Sequence, residues 1–327
     1  MTMRAAYYEQ NGTARDVLTV GEVAIAPPGP GEVRVKLATS AVNPSDVKSR
    51  LGATRKIAWP RVIPHSDGAG TIDRVGDGVD KTRIGERVWI WNGQWKRANG
   101  TAAEYIVLPA AQAAPLPDKV SFAEGACLGI PAMTAVHALE LTGATKDTTL
   151  LVAGGAGSVS QYIIQFAKMR GATVITTISS PEKARLARDL GADHTIDYKR
   201  ENVGERVMEL TGKHGVDAVL ELDLAANAHL IPSVLKPKGS VIVYGTGAAE
   251  ATLPAFFCLT QSIRIQFFLV YELDPTRRAH AIRIINEALA RGALVNRHAT
   301  PFTLDNIVAA HEAVEQNTTD GNVIVTL

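Results

Sequence analysis

The pattern of hydrophobic and polar positions along this chain changes near residue 125. Before it, apolar residues alternate with polar ones in short runs such as Glu32-Val33-Arg34-Val35-Lys36-Leu37 and Glu86-Arg87-Val88-Trp89-Ile90-Trp91, punctuated by Pro27-Pro28-Gly29-Pro30-Gly31. A period of two between turn residues predicts half-buried strands in a small, mostly antiparallel, barrel-like domain. After about Val136, short unbroken apolar runs alternate with helical patterns, with strands expected over 148–152, 173–178, 194–196, 218–222 and 240–244. Such alternation predicts an α/β unit with a doubly wound parallel sheet and right-handed crossovers. The run from Ile263 to Val270 adds an apolar edge strand, expected to be covered by a second subunit. The tail predicts helices over 279–291 and 304–316 and a last strand over 322–327. The domains divide accordingly, 1–125 with 272–327 against 126–271.

The stretch with the most chemistry is Leu150-Leu151-Val152-Ala153-Gly154-Gly155-Ala156-Gly157-Ser158-Val159-Ser160, which runs on into Ile163, Ile164, Phe166 and Ala167 on one helical face. It reads as strand, tight turn, helix. Glycine lets the backbone approach a pyrophosphate closely, and a helix N-terminus offers unpaired N–H groups and partial positive charge. The spacing Gly155-x-Gly157-x-x-Ser160 keeps two of the three glycines of the dinucleotide fingerprint and puts serine at the third.

Length and composition narrow the classes. The 327 residues suffice for about two domains. The formal net charge is +1, with Lys and Arg scattered among nearly equal numbers of acids, so no basic footprint for nucleic acid is expected. No apolar run reaches bilayer length and the first residues lack a signal-peptide core, so a cytoplasmic location is expected and no membrane partner. Cys127 and Cys258 lie far apart without CxxC spacing, which predicts buried thiols and no cysteine-rich zinc site.

Ordered marks along nearly the full length then carry a resemblance. They are Gly29-Pro30-Gly31-Glu32-Val33, Asn43-Pro44-Ser45-Asp46 with Arg50 and Gly52, and Ser66-Asp67-Gly68-Ala69-Gly70 with Val75-Gly76 and Gly85-Glu86-Arg87-Val88. Ala103-Glu104-Tyr105, Gly129-Ile130-Pro131-Ala132-Met133-Thr134-Ala135, the glycine turn and the segment 312–327 follow. Together they resemble the medium-chain dehydrogenase/reductase superfamily, in its zinc-independent quinone oxidoreductase and ζ-crystallin branch. The resemblance implies a Rossmann domain for the nucleotide and a GroES-like β-barrel catalytic domain built from both chain ends.

Zinc members of that superfamily carry Cys, His and commonly Cys where this chain has Asn43, Ser66 and Ile130, and the four-cysteine lobe is absent as well. The expectation is therefore no metal, His65 included, because a zinc site needs three or four N, S or O ligands in a tetrahedron. Without a Lewis acid, quinones and conjugated enones are the suitable hydride acceptors. Asn43 is expected nearest the reacting centre, and Thr134 resembles a threonine that lies against the nicotinamide. Asp46 and Arg50 are expected to form an internal ion pair or to support the loop rather than to do chemistry, and Asp67 to sit in a turn as a structural residue. Lys48 stands where quinone reductases of the branch often have a tyrosine, and Ala132 and Val136 replace ζ-crystallin aromatics, so those substrate contacts do not carry over. Trp59, Trp91 and Trp95 could wall a planar substrate, but tryptophans in a β domain are more often core, and the core is where they are expected.

No acid ends the second strand of the nucleotide domain, where the chain reads Thr177-Ile178-Ser179-Ser180-Pro181-Glu182-Lys183. An acid there would bind a ribose 2′-hydroxyl and repel a 2′-phosphate, whereas Ser179 and Lys183 can bind the phosphate. Tyr198 matches a family tyrosine beside the same phosphate, so NADPH is the expected cofactor, although Asn317 replaces a basic residue often found near it. The candidate cofactor residues are Gly154, Gly155, Gly157, Ser158, Val159, Ser179, Lys183, Tyr198, Gly245, Thr246, Leu269 and Asn322. The resemblance implies NADPH-dependent quinone reduction in a homodimer or tetramer. An enone or alkenal double-bond reductase and a non-catalytic ζ-crystallin-like nucleotide-binding protein are the alternatives. Lys183→Ala is expected to weaken NADPH by roughly tenfold and leave NADH nearly unchanged. Fluorescence titration of both nucleotides checks this, and equal losses would overturn the assignment.

Overall fold

The computed structural model describes all residues except 54, 55, 300, 318 and 320. They form two compact units, residues 1–131 with 282–327, and residues 132–281. Both junctions fall inside helices, Gly129–Thr142 and Pro275–Ala290, and so come later in the chain than the change in residue pattern.

In the first unit, β1 (Thr2–Tyr7) pairs antiparallel with β2 (Thr19–Ala24) as a separate ribbon. The main sheet is built on β3 (Glu32–Val42), which pairs along one side with β4 (Asp67–Val75). Beyond β4 lie β5 (Arg87–Ile90) and β7 (Ala113–Pro115), while β6 (Tyr105–Pro109) takes the first half of the other side of β3. Two register shifts interrupt the β3–β4 ladder. Such bulges bend and twist a sheet. At this crossing a Cβ on Gly70 would lie 2.1 Å from the Lys36 carbonyl oxygen, which explains one glycine of the Ser66–Gly70 motif. Val33, Val35, Ile72, Val88 and Ile106 bury one face of the sheet as the period of two requires.

The second unit is a six-stranded parallel sheet in the order β10-β9-β8-β11-β12-β13, from β8 (Thr149–Val152), β9 (Thr173–Ile178), β10 (His194–Asp197), β11 (Val216–Glu221), β12 (Leu235–Val243) and β13 (Arg264–Phe267). Its inner strands β8, β9 and β11 and the second half of β12 are buried on both faces, which is why they read as unbroken apolar runs. Leu151, Ile175, Val219 and Val241 pack against Val203, Val207, Ile231 and Val234 of the crossover segments. The order reverses between β8 and β11, at the switch point where ligands of such sheets sit.

Back in the first unit, β15 (Val323–Thr326) pairs antiparallel with the second half of β3 and carries β14 (Phe302–Thr303) on its far side. The Rossmann-like sheet and the GroES-like antiparallel sheet are both as expected. The antiparallel ladder, however, stays open among the described residues, because its end strands β7 and β14 do not pair with each other. The apolar edge strand is also shorter than expected. It stops at Phe267, and a 3₁₀ turn follows at Val270–Glu272. No helix among the described residues is long and apolar enough to cross a membrane.

Candidate functional site

The glycine turn leaves β8 at Val152 and enters the helix Ser158–Met169 with Gly157 as its N-cap. Gly154 sits at φ +62°, and a Cβ on Gly155 would lie 2.3 Å from Thr176 Oγ1. The turn is held against β9. The Gly154 N–H donates to Thr177 Oγ1 (2.9 Å) and the Gly155 N–H to the Thr177 carbonyl (2.9 Å). Ser160, at the third fingerprint position, is buried, and its hydroxyl donates to the Ala153 carbonyl (2.8 Å). It thus ties the helix to the strand through a hydrogen bond where a glycine would do so by close contact. Ser158 and Val159 occupy the first helical turn, whose N–H groups have no intrahelical acceptor.

Beside the turn, a cavity of about 790 Å³ opens at the C-terminal ends of β8, β9 and β11. Gly154, Thr177, Tyr198, Leu222 and Asp223 are among its walls, and about half of Tyr198 is exposed (52%). Ser179 follows β9 directly. Ser180 caps the helix Pro181–Asp189 by accepting the Lys183 N–H (3.3 Å), and Lys183 is half-buried in its first turn. The Lys183 ammonium makes no ion pair among the described residues. Gly245 follows β12, where a Cβ would lie 2.2 Å from the Leu222 carbonyl oxygen. The Thr246 hydroxyl donates to the Ala248 carbonyl (2.8 Å), and Leu269, half exposed, lies beyond β13. Thr134 is buried on the helix Gly129–Thr142. Asn322 lies in the other unit, where its side-chain amide donates to the Arg297 carbonyl (3.0 Å) and supports the tail.

Sequence reasoning passed over the acids at the end of β11. Glu221 is buried, accepts the Asp223 N–H (2.6 Å) and the Asn227 side-chain amide (2.9 Å), and is held above the usual carboxylate range by that burial. Asp223 caps the next short helix and accepts the Gly247 N–H (2.7 Å). An acid closing a buried apolar run was the available signal.

The second cluster belongs to the first unit. Because Ala41 of β3 pairs with Asp67 of β4, Asn43 and Asp67 emerge side by side. Asn43 Nδ2 donates to Asp67 Oδ2 (2.9 Å), and the Ile130 N–H donates to both Asp67 oxygens (3.0 and 2.9 Å). Gly129 makes room, since a Cβ there would lie 2.1 Å from Asp67 Oδ1. Burial holds the Asp67 carboxyl well above the usual range, against the pull of the Ile130 and Asn43 hydrogen bonds and with nearby Asp46 adding to the rise. This corrects the expectation that Asp67 sits in a turn. It opens a strand, is fully buried, and binds the residue expected nearest the chemistry.

Of the two roles expected for Asp46 and Arg50, the mutual ion pair is not formed, and both residues instead support the local backbone through other partners. Asp46 accepts the Asn43 N–H (2.8 Å) in a capping box at the start of the helix Pro44–Leu51. Its position in the first turn faces the unpaired N–H groups there. Arg50, fully buried, instead pairs with Glu315 of the helix Ile307–Gln316. Trp91 is buried as expected, and Trp95 is half-buried beneath the Lys96 ammonium. Trp59 lines a separate cavity of about 350 Å³ with Tyr8, Lys56 and Lys96. Among the described residues no three His, Cys, Asp or Glu side chains converge as metal ligands.

A buried polar chain runs on from Asp67. The Thr101 hydroxyl lies 2.6 Å from the Asp67 carbonyl, which can only accept, so Thr101 donates there. Ser40 then donates to Thr101 Oγ1 (2.7 Å), His65 Nδ1–H donates to Ser40 Oγ (2.8 Å), and His311 Nε2–H donates to His65 Nε2 (2.9 Å). This arrangement gives every contact one hydrogen and keeps both imidazoles neutral. Burial pushes His65 down to about 3, and burial with His65 and Arg50 nearby pushes His311 well below its ordinary value. His65 adopts φ +78°, strained for a residue with a Cβ, and its imidazole is fixed at both ring nitrogens.

Comparison with known proteins places the two units. The zinc-binding dehydrogenase family matches residues 158–287, and the alcohol dehydrogenase GroES-like domain matches residues 29–118. A quinone oxidoreductase of Pseudomonas aeruginosa is 33% identical over 238 residues, 72% of either chain. A 2-methylene-furan-3-one reductase of Solanum lycopersicum is 30% identical over 99% of this chain and 79% of its own. A mycobacterial protein solved in complex with NADPH superposes with a TM-score of 0.88 at 26% identity, over 99% of this chain and 100% of its own.

The His65–His311 pair predicts how stability depends on pH. Both imidazoles stay neutral in the folded state, whereas in the unfolded chain they take up protons near pH 6.5. Their contribution is therefore complete above about pH 6.5 and is lost as pH falls toward 3, at about 1.4 kcal/mol per pH unit for each imidazole. The raised carboxyls of Asp67 and Glu221 act in the opposite sense, and they cancel when two variants of the same chain are compared. His311→Gln keeps an N–H donor for His65 and is expected to flatten the loss between pH 7 and 5 by about 2 kcal/mol. Urea unfolding at each pH measures it, and parallel curves for the two proteins would contradict the pairing.

Proposed function

The chain belongs to the quinone oxidoreductases of the medium-chain dehydrogenase/reductase superfamily, and from that premise we propose that it reduces quinones with NADPH and without zinc. The observation that carries the reading is the donor set where zinc members hold their metal. Asn43, Ser66 and Ile130 offer an amide, a hydroxyl and an alkyl side chain, and the adjacent carboxyl of Asp67 is already taken by Asn43 and the Ile130 N–H. Such a set suits hydrogen bonding to a substrate oxygen and does not suit a tetrahedral zinc site.

A dinucleotide fits the second unit. Cβ atoms on Gly155 and Gly245 would collide with neighbours, so both glycines keep the backbone where a pyrophosphate can come close, and the cavity at the strand ends is open to accept the rest. Ser158 and Val159 would hold the pyrophosphate through their N–H groups, and Ser179, Lys183 and Tyr198 the 2′-phosphate. The mycobacterial protein solved with NADPH supports this choice of cofactor. Bound NADPH supplies a hydride. In our reading Asn43 would donate a hydrogen bond to the substrate oxygen on which negative charge develops, and Thr134 would help hold the nicotinamide. Quinone, hydride and one proton from water balance as hydroquinone. The chain's task is thus positioning and the exclusion of water.

The tomato relative favours a second reading, reduction of a conjugated enone at the carbon β to its carbonyl. Both use the same cofactor and the same oxygen donor, so the acceptor decides. The chelator-treated protein is expected to oxidise NADPH at 340 nm with a benzoquinone and far more slowly with NADH. Turnover with a 2-alkenal alone would replace the first reading by the second, and nucleotide binding without turnover of any acceptor would overturn both. We further propose a cytoplasmic homodimer, since Phe256, Leu259 and Phe267 are exposed at 79%, 78% and 62% at or next to the β13 edge. Sedimentation equilibrium is expected to give twice the 34.8 kDa chain mass, and the single-chain mass would refute it.

A further inference from the structure

We propose that Asp67 is a positioning residue that sets which way the Asn43 amide faces, leaving one Nδ2 hydrogen free to donate to substrate. The inference rests on the reading of Asn43 given above and deepens it. The structure turns the Asn43 amino group, and not its oxygen, toward Asp67 Oδ2 at 2.9 Å, where Asp67 accepts it together with the Ile130 N–H. The Asn43 oxygen faces the Asp46 N–H in the capping box. Among the described residues, the second Nδ2 hydrogen of this amide has no acceptor.

Asp67 itself cannot turn to release the amide. The Ile130 N–H holds both of its oxygens, and Gly129 packs so closely that a Cβ would overlap Oδ1. Its backbone is clamped too, by the Thr101 hydroxyl on its carbonyl and by the strained His65 two residues earlier. No Lys or Arg forms an ion pair with it among the described residues. A fully buried carboxyl held by two uncharged donors is a poor choice for stability alone, where an amide or a packed apolar side chain would avoid the desolvation penalty. What an amide could not do is force its neighbour to present a donor, because an amide can offer either end.

The test separates aim from support. Asp67→Asn lets the Asn43 amide reverse, and is expected to lower kcat roughly 10- to 100-fold with the KM for NADPH little changed. The exchange Asn43→Asp with Asp67→Asn rebuilds the hydrogen bond in the opposite sense, with the new amide donating to the new carboxylate. It is expected to restore the melting temperature to within a few degrees of the parent while kcat stays low, because position 43 then carries acceptors only. Recovery of kcat together with melting temperature in the exchanged protein would overturn the inference and leave Asp67 a structural residue. Asn43→Ala is the control for the underlying reading. If it leaves kcat unchanged, the role of Asn43 fails and this inference with it. If it lowers kcat while Asp67→Asn, folded and melting near the parent, does not, the inference alone fails.

Discussion

The contact on which the first unit's site depends is the buried carboxyl of Asp67 with its two donors, the Asn43 amide and the Ile130 N–H. It joins the end of β3, the start of β4 and the first turn of the helix Gly129–Thr142, three segments distant in sequence. A charge-bearing group at that depth must have its acceptors filled or it would destabilise the unit. The surrounding composition follows from that demand. Gly129 is small because Asp67 Oδ1 occupies the space of a Cβ, and Thr101 uses its hydroxyl on the Asp67 carbonyl. Ser40, His65 and His311 extend the chain of hydrogen bonds, so the strained backbone at His65 is held by two side-chain contacts.

The second unit meets a different constraint, the close packing of its glycine turn on a neighbouring strand. Its glycine turn lies flat against β9 through Thr176 and Thr177, so that the first turn of the following helix projects unpaired N–H groups. Ser160 shows that the third glycine of the fingerprint is one solution among several. A hydroxyl bonded to the Ala153 carbonyl also brings helix and strand together. In the proposed function the two units divide the labour, one holding the nucleotide and the other supplying the hydrogen bond that zinc relatives replace with a metal.

Much of this was legible in the residues. The parallel strands stood out because burial on both faces demands unbroken apolar runs, and the glycine turn because only glycine tolerates the contacts at 154 and 155. The pairing of charges was not legible. Asp46 and Arg50 are four residues apart on one helix, the spacing that favours a pair, yet each found a better partner. Asp46 met the orphan N–H of its own N-cap, and Arg50 met Glu315, which is 265 residues away. Asp67 was misread for the same reason. A short acid between serine and glycine has the composition of a turn, and its burial depends on β3 and on a helix far along the chain.

The sequence by itself determined the fold class, the order of the elements, the nucleotide turn and the family, because these depend on local periodicity, on glycine's conformational freedom and on motifs contiguous in the chain. The tertiary structure decided that the antiparallel ladder stays open among the described residues, that Asn322 supports the tail, and that Asp67 accepts the Asn43 amide. Those outcomes turn on which side chain reaches which partner across the fold. Hydrogen bonds and ion pairs act over about 3 Å, so they are settled only when strand register and helix placement bring distant residues together.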